Sequence, residues 1–243
     1  MCKECGCEDK AAKGPQQNGS DEKNVQIDRK VTEANDATAN KIAHELIHKE
    51  ILCINLLGSP GSGKTTLIEG IAQNIPAKII GVIQGDLESD VDKKRLEQMN
   101  IEAYQINTHS GCHLNAEMIK EALGSMNLDN KRFLIVENVG NLVCPAGVKI
   151  GQHINIVVSS TTEGSDKPKK YPYIFMDADL ILISKYDLKD AVGFDEQSYL
   201  SDISRINPQA RIIKCSNRKS SCFQEVAHFL EHEREHVLGH HHH

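Results

Sequence analysis

The run Gly58-Ser59-Pro60-Gly61-Ser62-Gly63-Lys64-Thr65 fits the pattern G-x-x-x-x-G-K-[ST]. An apolar stretch at 51–57 precedes it and a helical pattern follows. Glycine permits backbone turns that aim successive N–H groups at one anion. The start of the following helix adds partial positive charge. Ser59, Ser62 and Thr66 complete the lining of such a loop. Lys64 is set to reach the outer phosphates of a nucleotide, and Thr65 to hold Mg²⁺. The chemistry implied is phosphoryl transfer.

That chemistry needs acidic groups around Mg²⁺. Arg132-Phe133-Leu134-Ile135-Val136-Glu137 reads as an apolar strand ending in a carboxylate, which makes Glu137 the first candidate. Gly85-Asp86-Leu87-Glu88-Ser89-Asp90 follows another strand candidate and offers Asp86, which could equally be a helix cap or turn residue. Gly140 follows Glu137 closely, at the position of a switch glycine. Leu182-Ile183-Ser184-Lys185-Tyr186-Asp187 is similar to the Asn-Lys-x-Asp signature that reads guanine, with Ser184 in place of Asn. Asp187 would accept from the base and Lys185 would pack along it. The plainer reading is an exposed strand-end Lys and Asp.

The chain has eight cysteines. In a reducing compartment, clustered cysteines more often bind metal or do redox work than form disulfides. Cys112 and His113 stand side by side before a helical pattern, and Cys144 follows Glu137 at short range. Thiolate plus imidazole suits Ni²⁺ or Zn²⁺. A helix start beside Cys112 would lower its pKa. Alternatively these are a helix-start Cys, a surface His and a loop Cys. Cys2, Cys5 and Cys7 form a second cluster that fits metal capture or, as Cys-x-x-Cys, a redox pair. Cys53 lies in an apolar run and reads as an inert core thiol. No role follows from the positions of Cys215 and Cys222.

Strand candidates at 51–57, 78–83, 102–106, 132–136, 154–158, 180–184 and 211–214 alternate with helical patterns. Those patterns lie at 64–74, 90–99, 113–126, 196–206 and 221–236. Such alternation predicts an α/β fold, a mostly parallel sheet with helices on both faces. Ligands then bind beyond the carboxyl ends of the strands. Residues 1–24 read as a Cys motif and flexible linker, 25–50 as an amphipathic helix packed on the main domain, and 51–238 as that domain. The remainder, 239–243, is a natural His-rich tail or a cloning remnant. Low aromatic content, no Trp and a net charge of −6 argue against nucleic acid. No apolar run is long enough to span a membrane, and the polar N-terminus is not a signal peptide. A cytoplasmic protein is expected.

Together these residues resemble the HypB family of GTPases, which deliver nickel during [NiFe]-hydrogenase maturation. The resemblance runs from about residue 25 to 230. Besides residues 58–66, it rests on Ala34-Asn35-Asp36, Gly85-Asp86-Leu87, Gly111-Cys112-His113-Leu114, Glu137-Asn138-Val139-Gly140-Asn141-Leu142-Val143-Cys144-Pro145 and Thr162-Glu163-Gly164-Ser165-Asp166-Lys167-Pro168. It implies a SIMIBI-like P-loop NTPase fold and turnover of GTP to GDP with Mg²⁺ held by Thr65, Asp86 and Glu137. It also implies Ni²⁺ or Zn²⁺ on Cys112, His113 and Cys144 at a GTP-dependent homodimer interface. Cys2, Cys5 and Cys7 match an N-terminal nickel motif of some members. A HypA-type nickel-binding partner and a hydrogenase large-subunit precursor are the implied partners. Cys215-Ser216-Asn217 stands where a Ser-Ala-type base-contacting loop is expected. Two other readings stay open: a urease-type maturation GTPase, against which Ala146 after Cys144-Pro145 counts, and a non-catalytic metal-storage protein.

Overall fold

In the computed structural model the described residues are 19–86, 91–108, 111–216 and 220–239, without the side chains of 19–28, Asp86 and Val91. Cys2, Cys5, Cys7, the Asp86 side chain, residues 87–90 and the His run at 240–243 lie outside them. The chain divides into two units, Met1–Ala34 and Asn35–His243. The second unit carries seven strands. They are β1 Leu52–Gly58, β2 Ile80–Asp86, β3 Glu102–Asn107, β4 Phe133–Glu137, β5 Ile154–Ser160, β6 Leu180–Ser184 and β7 Arg211–Lys214. All pairings are parallel, in the order β3-β2-β4-β1-β5-β6-β7. The helices are α1 Gly19–His48, α2 Lys64–Ala72, α3 Val91–Gln98, α4 Ala116–Ser125, α5 Lys167–Lys170, α6 Pro172–Met176, α7 Glu196–Ile206 and α8 Ser221–Gly239. This is the expected P-loop α/β fold.

Strand β1 is buried along its whole length because both sheet faces are covered. Leu52, Ile54 and Leu56 point into one core with Leu67, Ile71, Val226 and Leu230 from α2 and α8. Cys53 faces the other side, with Ile42 and Leu46 of α1 and Ile119 of α4. Burial pushes the Cys53 thiol up to about 12, so it is the inert core thiol its apolar surroundings predict. Gly70 of α2 lets the two helices on the first face meet: a Cβ there would lie 2.3 Å from the Phe223 ring.

Three local expectations change. Helix α1 begins at Gly19, so residues 19–24 are helical and not linker. The apolar stripe holds at Ile42 and Leu46, but Val31 is 63 % exposed. Helix α4 starts at Ala116, three residues later than the periodicity predicts, because Asn115 caps it by accepting from the Met118 N–H at 3.0 Å.

Candidate functional site: a phosphate loop beside a thiol pair

Gly58, Gly61 and Gly63 carry φ values of 153°, 71° and 102°. The last two lie in the region that glycine enters without strain. Gly63 is the N-cap of α2 and supplies no side-chain cap, so the first N–H groups of that helix face the loop. The Ser62 hydroxyl is fully buried there without a hydrogen-bond partner among the described residues. Gly140 lies so close to Pro60 that a Cβ would come within 2.9 Å of its ring and nitrogen. Asn141 forms an isolated bridge with Gly58. The segment after Glu137 therefore rests directly on the phosphate loop. A cavity of about 440 Å³ opens here, lined by Lys64, Thr65, Gln84, Asp92, Glu137 and Lys185 among others.

Within it, Thr65 Oγ1 lies 3.0 Å from Glu137 Oε1 and 3.2 Å from Asp92 Oδ2. Gln84 Nε2 donates to Glu137 Oε2 at 2.9 Å. Three hard oxygen donors thus converge, the donor set that Mg²⁺ takes. Burial raises the Glu137 carboxyl above its ordinary value, while Gln84, Lys64 and Thr65 pull the other way. Lys64 Nζ donates to the carbonyls of Gly58 and Ser59 at 3.3 and 3.2 Å, across the mouth of the loop. Sequence reading missed Asp92 and Gln84. The signal for Gln84 was a polar residue at the end of an apolar strand, in register with Glu137. For Asp92 it was an acid in the first turn of α3.

The strand-end triplet also assembles. Ser184 Oγ donates to the Ser62 carbonyl at 2.6 Å, and Lys185 Nζ to the Gly61 carbonyl at 2.8 Å. Ser184, standing where the signature has Asn, therefore ties β6 to the phosphate loop. Lys185 sits at φ 52°, a left-handed conformation held by the Thr161 hydroxyl on its carbonyl at 2.7 Å. Asp187 Oδ1 accepts from Ser216 Oγ at 2.8 Å, so the Cys215-Ser216 segment reaches the loop that follows β6. Cys215 and Cys222, without an assigned role from sequence, form a disulfide between the end of β7 and the first turn of α8. A seven-residue spacing across a strand end and a helix start carries no recognisable pattern.

Cys112, His113 and Cys144 come together at the end of the same sheet. Cys112 Sγ lies 3.6 Å from His113 Nδ1, and the Cys112 and Cys144 thiols interact. Cys112 is exposed and Cys144 is half-buried. The hydrogen bond with Cys144 pushes the Cys112 thiol above its ordinary value, opposite to the lowered value expected from a helix start. The reason is local: α4 begins four residues on, and its first N–H, on Ala116, is taken by Asn35 Oδ1 at 2.9 Å. Asn35 also donates to the Lys149 carbonyl at 2.9 Å, so it braces the segments that follow both cysteines. Among the described residues no three Cys, His, Asp or Glu side chains converge closely enough to hold a metal ion. The donors are neighbours, but one chain does not close the site.

Residues 52–214 match the family described as CobW/HypB/UreG, nucleotide-binding domain. The chain is 40 % identical over 208 residues to the probable hydrogenase maturation factor HypB of Methanocaldococcus jannaschii, covering 85 % of this chain and 94 % of that protein. Its fold is similar to the crystal structure of HypB from Helicobacter pylori in complex with nickel, with a TM-score of 0.81 and 35 % identity. That match covers 84 % of this chain and 97 % of the other. HypB from Archaeoglobus fulgidus is similar at a TM-score of 0.77 and 37 % identity, over 83 % and 98 % of the two chains. With its phosphate loop and Thr65–Glu137 pair at the carboxyl ends of the central strands, the chain is a P-loop GTPase that belongs to the HypB family of hydrogenase maturation factors.

Proposed function

We propose that this protein couples GTP turnover to the binding and release of nickel for [NiFe]-hydrogenase maturation, in the cytoplasm. The observation that carries the reading is one short path. Glu137 accepts from Thr65 at 3.0 Å, and the next residue, Asn138, accepts from the Leu114 N–H at 3.1 Å, directly after Cys112-His113. Adjacent residues of one segment thus contact the phosphate-loop threonine and the thiol-bearing loop.

In this reading the loop at 58–66 cradles the phosphates, and Lys64 turns from the Gly58 and Ser59 carbonyls to the outer phosphates. Mg²⁺, when bound, neutralises charge on the phosphates. Thr65, Glu137 and Asp86 are its proposed holders, with Asp92 added by its contact with Thr65. Asp187 and Lys185 select guanine. The cargo is Ni²⁺, with Zn²⁺ as a competitor of similar ligand preference. Cys112, His113 and Cys144 are too few to close a site, and a two-fold homodimer would repeat them across its axis. Cys2, Cys5 and Cys7 form a separate capture site. A HypA-type protein and the hydrogenase large-subunit precursor are the proposed donor and acceptor.

Nickel titration with and without a non-hydrolysable GTP analogue, followed by analytical ultracentrifugation, tests this. The dimer should tighten with the analogue, and nickel affinity should differ between GTP and GDP states. By linkage, nickel then shifts GTP affinity by the same factor. A monomer in every state, with nickel binding indifferent to nucleotide and to Cys144→Ala, overturns the coupling.

A further inference from the structure

The sequence places His228, His232 and His236 at four-residue intervals, and α8 turns that spacing into a line. Cys222, Phe223, Val226, Ala227, Phe229 and Leu230 bury one face of the helix. His228, His232 and His236 are all exposed, on the opposite face. Residues four apart in an α-helix lie about 6 Å apart along its axis and on one side of it. Two imidazoles so placed can turn onto one ion, and His232 is shared between two overlapping pairs. We propose that this ladder is a second, surface metal site that takes divalent transition ions of the nickel, copper and zinc class. The proposal is independent of the nucleotide reading.

Two further features of α8 support a cation here. His232 Nδ1 lies 3.4 Å from Glu233 Oε1. A carboxylate on one ring nitrogen fixes the tautomer and leaves Nε2 as the outward donor, the usual arrangement behind a metal-bound histidine. Glu233 and Glu235 also flank the ladder, whereas Glu225 and Glu231 are engaged by Arg211 and Arg132 at 3.1 and 2.9 Å. The same four-residue spacing occurs at His44 and His48 of α1, but with no third histidine at that interval α1 offers one pair where α8 offers two that share His232. Since no three donor side chains converge among the described residues, each pair acts as a bidentate ligand with water completing the shell. Such a site is open and exchanges its ion readily, as suits acquisition from solution ahead of a thiolate site.

The test is amide NMR of the full chain titrated with NiCl₂ alone, where bound Ni²⁺ broadens nearby resonances. Local readout separates α8 from the thiol clusters, and residues 240–243 are changed to alanine in every sample, because Ni²⁺ bound there would broaden the end of α8 as well. Once the thiol sites are filled, amides around 225–236 should broaden before those around 41–49. His232→Gln should raise the Ni²⁺ concentration needed by at least about tenfold, and His228→Gln combined with His236→Gln should match it. All three side chains are exposed, so these variants keep the fold. Broadening that appears equally along α1, or that persists unchanged in His232→Gln, overturns the proposal.

Discussion

The side-chain carbonyl of Asn138 accepts from the backbone N–H of Leu114 at 3.1 Å, across 24 residues of sequence. The same oxygen accepts from the Val139 N–H at 3.0 Å, and its amide donates to Asn55 Oδ1 at 3.1 Å. Asn55 in turn donates to Asn155 Oδ1 at 3.1 Å, so a chain of three asparagines runs across the sheet below the thiol pair. Asn138→Ala should lose about 1–3 kcal/mol for each buried group left unpaired. More tellingly, it should erase the difference in nickel affinity between GTP and GDP states. Asn55→Ala breaks the same chain without touching Leu114 and should keep that difference. If both variants behave alike in nickel titrations, Asn138 has only a structural part.

Lys64 makes its described hydrogen bonds to two carbonyls of its own loop, so its removal should leave the fold intact. Lys64→Ala should lower GTP turnover on the order of 10²–10³-fold or more, with an unchanged circular dichroism melt. Turnover at the parental rate would remove the phosphate-loop assignment.

Guanine selection should reside in Asp187, which Ser216 orients at 2.8 Å. Asp187→Asn exchanges an acceptor for a donor and should shift preference from guanine toward xanthine nucleotides. A bond to a charged group is worth about 1.5–3 kcal/mol, so GTP affinity should fall roughly 10- to 100-fold. Ser184→Ala removes only the bond to the Ser62 carbonyl and should weaken all nucleotides by about the same small factor. Competition binding with GTP, XTP and ATP decides both points.

Glu196 braces the loop that follows β6. It takes hydrogen bonds from Lys214 and the Tyr186 hydroxyl, which hold its carboxyl down at about 2. A depressed carboxyl adds stability above its ordinary value of about 4.5, and that stability is lost as pH falls toward 2. The cluster is partly solvent-exposed and screened, so the contribution is on the order of 1 kcal/mol or less. Glu196→Gln should therefore flatten the part of the acid unfolding curve between about pH 4.5 and 2, and leave stability at pH 7 lower by a similar small amount. An acid limb as steep as the parent's would show that other carboxylates dominate it.

All seven strands were legible because β1, β4, β5 and β6 are apolar runs bounded by turn residues, and that signal needs no tertiary information. That Lys64, Thr65, Glu137, Lys185 and Asp187 lie at the carboxyl ends of neighbouring strands was legible because motif spacing after an apolar strand fixes their place. Asp92 was not, since its approach to Thr65 depends on how α3 docks. Asn138 and Asn35 stood inside recognised motifs, yet their work is to bond backbone groups far away in sequence. The direction of the Cys112 shift was misjudged for the same reason. Helix periodicity extends to residue 113, but capping by Asn115 decides where the helix starts.

The strand order also sets the order of assembly during synthesis. The strand that launches the phosphate loop, β1, is flanked by β4 and β5, both made long after it. Residues 58–65 thus leave the ribosome with neither neighbouring strand yet in existence. At about 5–20 residues per second, several seconds pass before β5 can pair. Until β4 has been made the apolar β1 segment has no partner strand, although β2 can already pair with β3, and an unpaired apolar strand is the condition under which chaperones engage nascent chains.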